Sequence, residues 1–361
     1  MAERKNYLDN IRWITVCIVI VYHIIYIFNC SDVITNIPIQ SDYPVLDSFL
    51  VFVYPWFMCL LFAVSGISSR LALSKRTDKE FIKERTSKIL VPSICGAFIY
   101  GWLSGLITNQ YNDMFNESSG EKVPAAVKYL VYSLMGIGPL WFAHVLFIAS
   151  VLLLIVRKLD KNDKLWNICG KTNYLVLFLL TAAVWGSSFL LNAPMITVYR
   201  FGIYFLMFFL GYFVFSHDEV IDKLKKIAVP MGILTVAVGM VYTVFYYGRN
   251  YADSAVLTGA FTNIYLWIAV LAILGLGAKF LNFSNRFTVY MNKNNFAFYV
   301  LHYTVVLVIA YLSTTYLKPS IFAVNYLLML LGAVTVLPLL TEIVKRIPIL
   351  RKLVLGISKK K

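Results

Sequence analysis

Two polar residues in the first apolar segment of this 361-residue chain could do chemistry, Arg12 and His23. The eleven positions that separate them, at about 100° each, return both side chains to nearly the same face of a helix, roughly 16 Å apart. A guanidinium can bind a phosphate or a polarised carbonyl, and a neutral imidazole can take a proton from a hydroxyl. Because both groups are costly inside a bilayer, their alignment favours a functional pair. The structural alternatives are an arginine that reaches lipid phosphates and a histidine that is hydrogen-bonded between helices.

A catalytic imidazole needs a group that orients it, and the sequence offers one acidic candidate. Asp47, at the outer start of the second apolar segment, is the residue that we expect to orient His23. His302 in the ninth apolar segment and Arg200 in the sixth are further candidates for the site. Their alternatives are a structural hydrogen bond for His302 and a side chain that reaches outward to the membrane surface for Arg200.

A basic segment precedes the third apolar run and contains Arg85 and Lys88. Residues three positions apart lie on one side of an α-helix, so these two could clamp a phosphate. Such a clamp would lie on the same side of the membrane as Arg12. A solvated cytoplasmic loop is the alternative.

The composition is that of an integral membrane protein. The chain is 60% hydrophobic and only 14% charged, with a mean hydropathy of +0.73, whereas soluble domains carry about 25% charged residues. Repeated apolar runs of about 20 residues predict helices and not a barrel. We therefore expect an all-α, polytopic fold of about ten transmembrane helices. The predicted spans are roughly 11–29, 48–69, 89–107, 139–156, 174–191, 198–215, 227–247, 258–278, 295–313 and 321–342.

The net charge of +15 is explained by topology. If the N-terminus is cytoplasmic, 27 of the 33 Lys and Arg residues fall in cytoplasmic segments. This distribution predicts a multi-pass protein of the cell membrane with both termini in the cytoplasm. It predicts no nucleic-acid partner, and it makes the inner face attractive to anionic membrane lipids or to a polyanionic co-substrate.

The sequence predicts one transmembrane domain, residues 1–344, followed by a basic cytoplasmic tail, residues 345–361. The tail alternates apolar and basic residues, so we expect an amphipathic helix along the inner membrane surface. Lys128–Gly138 is predicted to form a short interfacial helix, and Ser74–Lys88 a charged cytoplasmic loop.

The acidic residues and the missing motifs narrow the class of protein. All eighteen Asp and Glu residues fall in predicted loops or at the edges of spans, whereas ion-coupled transporters usually carry a carboxylate near the midplane. A transporter or flippase for a glycan or lipid intermediate is therefore the weaker alternative to an enzyme. No Walker A, Gly-x-Ser-x-Gly or His-Glu-x-x-His motif occurs, so we expect neither nucleotide hydrolysis nor a metal.

These residues together resemble the acyltransferase-3 family of integral membrane acyltransferases. Arg12 and His23 are similar to the family's Arg-x10-His signature. Four more segments resemble its Phe-x-x-Ser-Gly second helix, its basic loop ending in Arg-x-x-Arg-x-x-x-Pro, and its Leu-Trp-Phe and Tyr-x-x-His helices; they are Trp56–Gly66, Phe81–Pro92, Gly138–Phe142 and Tyr299–His302. The second-helix and basic-loop sequences look closest to the branch that resembles glucan succinyltransferases.

The resemblance implies an enzyme that takes an acyl group, acetyl or succinyl, from cytoplasmic acyl-CoA and places it on a hydroxyl of an extracytoplasmic glycan or glycolipid. It implies that His23 is the catalytic base, that Arg12 binds the acyl-CoA, and that Arg85 and Lys88 hold its phosphates. Lys88 stands where the family often has Arg, so a bidentate phosphate contact is not expected there. Trp141 lies in the Leu-Trp-Phe segment and is a further candidate.

Overall fold

The computed structural model describes residues 5–112, 115, 123–193 and 199–357. Regular structure in these ranges is helical, and the one β feature that they contain is an isolated antiparallel bridge between Asn192 and Arg200. Eight helical stretches are long and apolar enough to cross a membrane, and two bent helix pairs raise the number to ten if each pair is one span. The predicted all-α, polytopic membrane fold is therefore confirmed. The eight stretches are Asn6–Tyr26, Pro44–Leu73, Asp78–Asn112, Gly138–Leu159, Ala228–Tyr246, Ala260–Phe280, Arg286–Leu317 and Ala323–Arg346.

The described chain forms two compact units. The first unit comprises Met1–Thr15, Ser48–Arg85 and Val145–Lys293, and the second comprises Val16–Asp47, Thr86–His144 and Asn294–Lys361. In chain order the α-helices are α1 (Asn6–Tyr26), α2 (Asp47–Val53), α3 (Phe57–Leu73), α4 (Asp78–Arg85), α5 (Val91–Gly96), α6 (Trp102–Asn112), α7 (Ala125–Met135), α8 (Trp141–Leu159), α9 (Lys164–Cys169), α10 (Tyr174–Ser187), α11 (Phe201–Phe213), α12 (Asp218–Lys226), α13 (Ala228–Tyr246), α14 (Ser254–Thr258), α15 (Ala260–Phe280), α16 (Arg286–Leu312), α17 (Ala323–Val334), α18 (Val336–Arg346) and α19 (Pro348–Leu355).

The core of the first unit is the crossing of α3 and α11. A Cβ atom at Gly66 would lie 2.0 Å from the carbonyl oxygen of Phe208, and one at Gly211 would lie 2.0 Å from that of Ala63. Two glycines therefore let the helix backbones touch, as small residues do in membrane helix pairs. The close approach fixes α3, which carries the serines described below.

The two bent pairs are α9–α10 and α11–α12, and each bends by 103°. The predicted fifth and sixth spans, 174–191 and 198–215, contain α10 and α11 but not α9 and α12. The first bend has a local cause, because Asn173 starts α10 by accepting a hydrogen bond from the backbone N–H of Val176 at 3.0 Å. With 14 and 13 residues, α10 and α11 are about 20 Å long. Each helix alone is thus shorter than a hydrocarbon core of about 30 Å.

The third span begins earlier than predicted. Ser74–Lys88 was expected to be a loop, but α4 starts at Asp78 and the helical stretch continues to Asn112. A capping box explains this start, since the Glu80 carboxylate accepts the Thr77 N–H at 2.9 Å and the Thr77 hydroxyl accepts the Glu80 N–H at 3.3 Å.

The same stretch contains two π-helices, Thr86–Leu90 and Ala97–Gly101, and Pro92 explains the first. Thr86–Leu90 is a π-helix, and a proline that lacks an N–H and clashes with the preceding turn is a common cause of such a bulge. The α-helical spacing that placed Arg85 and Lys88 on one face is therefore not the spacing observed. Lys88 is exposed to solvent.

The basic tail is helical in its described part but is not a free surface helix. Within the second unit, α19 packs against α5, and Val354 and Leu355 are buried. Gly356 ends α19 in the left-handed conformation, and a Cβ atom there would lie 2.6 Å from the Cα atom of Lys88. The predicted domain boundary between residues 344 and 345 falls inside α18, and the predicted helix at Lys128–Gly138 corresponds to α7.

Candidate active site

Two histidines meet in the second unit. His23 on α1 and His302 on α16 have their rings 5.0 Å apart, and 3.2 Å separates Nδ1 of His23 from Nε2 of His302. The two residues are 279 positions apart in the sequence. The group that contacts His23 is thus an imidazole of the Tyr-x-x-His segment, whereas the sequence pointed to the Asp47 carboxylate.

The backbone fixes the proton positions on both rings. Nδ1 of His302 lies 2.7 Å from the carbonyl oxygen of Tyr299, and Nδ1 of His23 lies 2.8 Å from that of Val19. Since a carbonyl oxygen only accepts, the hydrogen-bond network assigns a proton to Nδ1 of each neutral ring. The single Nδ1–H of His23 is then shared between the Val19 carbonyl oxygen and the Nε2 lone pair of His302. The remaining lone pair of His23 is on Nε2, where a general base needs it.

The pair is asymmetric in burial. His302 is 0% exposed, whereas His23 is only half-buried. The rings of Tyr303 and Tyr26 pack edge-on against His23 at centroid distances of 5.0 and 5.9 Å. The Tyr303 hydroxyl is itself held by a hydrogen bond that it donates to Asn36. The accessible ring is therefore His23, and the buried ring supports it.

The Leu-Trp-Phe segment positions the Tyr-x-x-His helix. The Tyr299 hydroxyl donates a hydrogen bond to the carbonyl oxygen of Pro139, and the Phe142 ring packs edge-on against Tyr299 at 5.6 Å. Trp141 is 9% exposed and begins α8. These contacts fix the position of Tyr299, whose carbonyl oxygen orients His302. The Leu-Trp-Phe segment therefore has a structural role in the site.

A second polar site, the arginine cluster, lies in the first unit and consists of Arg12, Arg85, Ser68 and Ser69. Arg12 donates a hydrogen bond to the Ser68 hydroxyl, and Arg85 Nη2 donates one to Ser69 Oγ at 2.9 Å. Each serine also donates to the carbonyl oxygen four residues earlier in α3, at 2.8 Å. Adjacent serines on one helix thus anchor two guanidinium groups that come from two other helices.

Electrostatics make the arginine cluster attractive to anions. The guanidinium groups of Arg12 and Arg85 lie close enough to repel each other. Arg12 forms a salt bridge with Asp9 at 2.8 Å, and its side chain remains 28% exposed. An anion between the two arginines would relieve the repulsion and accept charge-assisted hydrogen bonds. Arg70 differs, because Asp163 already accepts two of its hydrogen bonds at 2.9 and 3.0 Å.

Asp47 and Arg200 have local partners. Asp47 is buried and accepts hydrogen bonds from the backbone N–H of Cys30, at 2.9 Å, and from the Ser31 hydroxyl. It therefore holds the chain that follows α1. Arg200 is 5% exposed and donates to the carbonyl oxygen of Leu257 at 3.0 Å, so it does not reach outward to the membrane surface.

Within the described ranges, no group of three or more His, Cys, Asp and Glu side chains could hold a metal ion. The His23–His302 contact is the feature that sequence reasoning did not find. Both residues were candidates, but a single sequence contains no signal that pairs positions so far apart. The resemblance of Tyr299–His302 to the family's Tyr-x-x-His helix was the one signal in the sequence that singled out His302.

The fold and the two sites define a helical, multi-pass membrane protein with an intramembrane histidine pair. Its sequence matches the family model described as an acyltransferase domain over residues 5–342, so the chain belongs to the acyltransferase-3 family and is a membrane acyltransferase. The match includes the arginine cluster and both histidines. No curated protein and no solved structure matches the chain.

Proposed function

We propose that this acyltransferase moves an acyl group, acetyl or succinyl, from cytoplasmic acyl-CoA to a hydroxyl of an extracytoplasmic glycan or glycolipid, in the cell membrane. The observation that carries the proposal is the half-buried His23 with the wholly buried His302 behind it. An imidazole held in one tautomer, with its lone pair on Nε2, is suited to general base catalysis.

In the proposed reaction, Nε2 of His23 takes the proton of the acceptor hydroxyl while the hydroxyl oxygen attacks the thioester carbonyl carbon. The carbon–sulfur bond then breaks and coenzyme A leaves as a thiolate. The proton passes from Nε2 of His23 to the sulfur, so the products are an ester and the CoA thiol. His302 stabilises the protonated ring, since its Nε2 accepts a hydrogen bond from Nδ1 of His23 at 3.2 Å.

The arginine cluster is the proposed site for the donor. Coenzyme A carries several phosphate charges, and guanidinium groups bind phosphate through two parallel hydrogen bonds. Hydrogen bonds to Ser68 and Ser69 hold Arg12 and Arg85 near each other despite their mutual repulsion. Arg12 and His23 both belong to α1. Lys88 is exposed to solvent and would contribute positive charge to the attraction of a polyanionic donor.

The test of donor binding is thermal stabilisation of the purified chain by acyl-CoA. A ligand at about 100 times its Kd stabilises a protein by about 2.7 kcal/mol. We expect acetyl-CoA or succinyl-CoA to raise the melting temperature of the wild type, and Arg85→Ala to lose most of this shift. Arg286→Ala is the matched control, because Arg286 is a solvent-exposed arginine of the same unit.

No stabilisation of the wild type by either acyl-CoA would contradict the proposal. Movement of a glycan or lipid without any dependence on acyl-CoA would support the transporter alternative. An equal loss of the shift in Arg85→Ala and Arg286→Ala would show that only net charge attracts the donor.

A further inference from the structure

Arg200 has a local environment unlike that of Arg12 and Arg70. It is 5% exposed at the start of α11, and its guanidinium donates one hydrogen bond, to the carbonyl oxygen of Leu257. Over the part of the chain that the structure describes, no carboxylate lies within salt-bridge distance of it, whereas Arg12 and Arg70 have Asp9 and Asp163. A buried cation without a counter-ion retains unused donors for a ligand.

Two buried amide oxygens near Arg200 also lack partners. Asn263 is 0% exposed, and its Nδ2 donates to the carbonyl oxygens of Leu257 and Gly259, at 3.1 and 2.9 Å, and to Ser188 Oγ at 3.3 Å. Three acceptors around Nδ2 fix the orientation of the amide. Its Oδ1 is buried and has no hydrogen-bond partner among the described residues.

Asn192 repeats this pattern beside Asn263. Its Nδ2 donates to the carbonyl oxygen of Ser188 at 2.7 Å, and its buried Oδ1 is unpartnered within the described ranges. Ser188 binds both amides, and the Leu257 carbonyl accepts from both Asn263 and Arg200. Shared partners therefore place the three side chains in one cluster. Arg200 and Asn192 are in addition joined by an isolated backbone bridge.

Three tyrosines lie near the Arg200 side chain of this cluster. Tyr54, Tyr204 and Tyr242 all lie close enough to interact electrostatically with the Arg200 guanidinium. Tyr54 is half-buried, and Tyr242 belongs to a group of tyrosines that includes Tyr246 at a ring distance of 4.7 Å. Binding sites for small polar molecules combine such aromatic walls with a few convergent polar groups.

The unused groups select a class of ligand. Amide oxygens accept hydrogen bonds, so they need a donor such as a hydroxyl, whereas arginine N–H groups need an oxygen acceptor. A simple anion would satisfy the arginine but would face two amide oxygens with like partial charge. A sugar supplies hydroxyl donors, oxygen acceptors and apolar ring faces for the tyrosines.

Building on the function proposed above, we propose that Arg200, Asn192 and Asn263 form a subsite that binds a sugar unit of the acceptor glycan. With the cytoplasmic N-terminus that the charge distribution predicts, Asn192 and Arg200 flank an outer connection between predicted spans. They are thus on the side where an extracytoplasmic acceptor would arrive. The subsite lies in the first unit and the histidine pair in the second.

The experiment is binding of the purified full chain to an array of oligosaccharides that contains neutral hexose polymers and uronic acid polymers. We expect the wild type to bind at least one member. Asn192→Ala should weaken that binding about tenfold or more, as loss of a hydrogen bond to a ligand does. Arg200→Lys should do the same, because it retains the charge and loses the planar fork.

Asn192→Ala keeps the proposal testable even if substitutions of the buried Arg200 fail to fold, since Asn192 is only half-buried. Arg249→Gln is the matched control, because Arg249 is a solvent-exposed arginine of the same unit. Binding to no member of the array would overturn the proposal, and so would unchanged binding by Asn192→Ala and Arg200→Lys. His23→Ala should bind the array normally, and stabilisation by acyl-CoA should survive in Asn192→Ala. A failure of the acyl-transfer proposal would therefore be distinguishable from a failure of the sugar subsite.

Discussion

The arginine cluster of the first unit and the histidine pair of the second both bring polar side chains of different helices together, but they are stabilised differently. Arg12 and Arg85 keep their charges, share hydroxyl anchors on α3 and remain partly open to solvent. His23 and His302 are held by backbone carbonyls and by each other, and His302 has no exposed surface. Binding at the arginine cluster thus depends on charge, whereas the histidine pair depends on the positions of its ring nitrogens.

This difference predicts how each site responds to change. Charge attraction between partly exposed groups is weakened gradually by salt and by single substitutions. A base in a defined tautomer fails when its lone pair is displaced by even about 1 Å. Substitutions in the arginine cluster should therefore change donor affinity, and substitutions in the histidine pair should change turnover.

The largest effect is expected from His23→Ala. Removal of a general base lowers turnover by about 10²- to 10⁴-fold. Transfer of labelled acyl groups from acyl-CoA should fall by that factor, while stabilisation by acyl-CoA stays as in the wild type. His144→Gln is the control, since His144 is a half-buried histidine of the same unit whose Nε2 has no hydrogen-bond partner among the described residues. Normal turnover in His23→Ala would contradict a catalytic role of His23, and the histidine pair would then not differ from the arginine cluster in the way described.

A smaller effect is expected from Arg12→Ala, and it should appear in the KM for acyl-CoA and not in kcat. The loss of one charged hydrogen-bond donor to a phosphate should raise the KM for acyl-CoA about tenfold or more. The kcat should change by no more than about threefold, and the KM of the wild type should rise with salt. Ser68→Ala keeps the Arg12 cation and removes the hydroxyl that anchors it. The KM of this variant for acyl-CoA should therefore lie between those of the wild type and Arg12→Ala. A fall in kcat at unchanged KM would mean that Arg12 acts on the transition state.

The smallest effect on turnover is expected from Asp47→Ala. The substitution leaves the buried N–H of Cys30 and the hydroxyl of Ser31 without their acceptor. We expect unfolding to become easier by about 1–3 kcal/mol, measured by thermal denaturation, with kcat within a few-fold of the wild type. If stability is unchanged and turnover is lost as in His23→Ala, Asp47 has the catalytic role that its sequence position suggested.

Much of the fold could be predicted because apolar runs of membrane length are a strong signal, and the fifth and sixth predicted spans contain α10 and α11. The predicted start of the third span was wrong because the prediction of a loop at Ser74–Lys88 rests on its charged composition. The sequence also contains the capping box formed by Thr77 and Glu80, which indicates that a helix starts there. The π-helix at Thr86–Leu90 depends on how the chain accommodates Pro92, which composition does not report.

The site was predictable where one helix sets the geometry. Arg12 and His23 are both on α1, so helical periodicity relates them without tertiary information. The contact of His23 with His302 joins two helices that are far apart in sequence, and the contacts of Asp47 depend on the path of the chain after α1. Side-chain pairing across elements requires the packed structure.

The central claim is that His23 and His302 act as one catalytic unit, and a double-mutant cycle on kcat for acyl transfer tests it directly. We expect His302→Ala alone to lower kcat about hundredfold, because the His23 ring loses its support. The double variant should then be no slower than His23→Ala alone, within about threefold, since residues that act as a unit are non-additive. A double variant slowed by the product of the two single effects would contradict the claim.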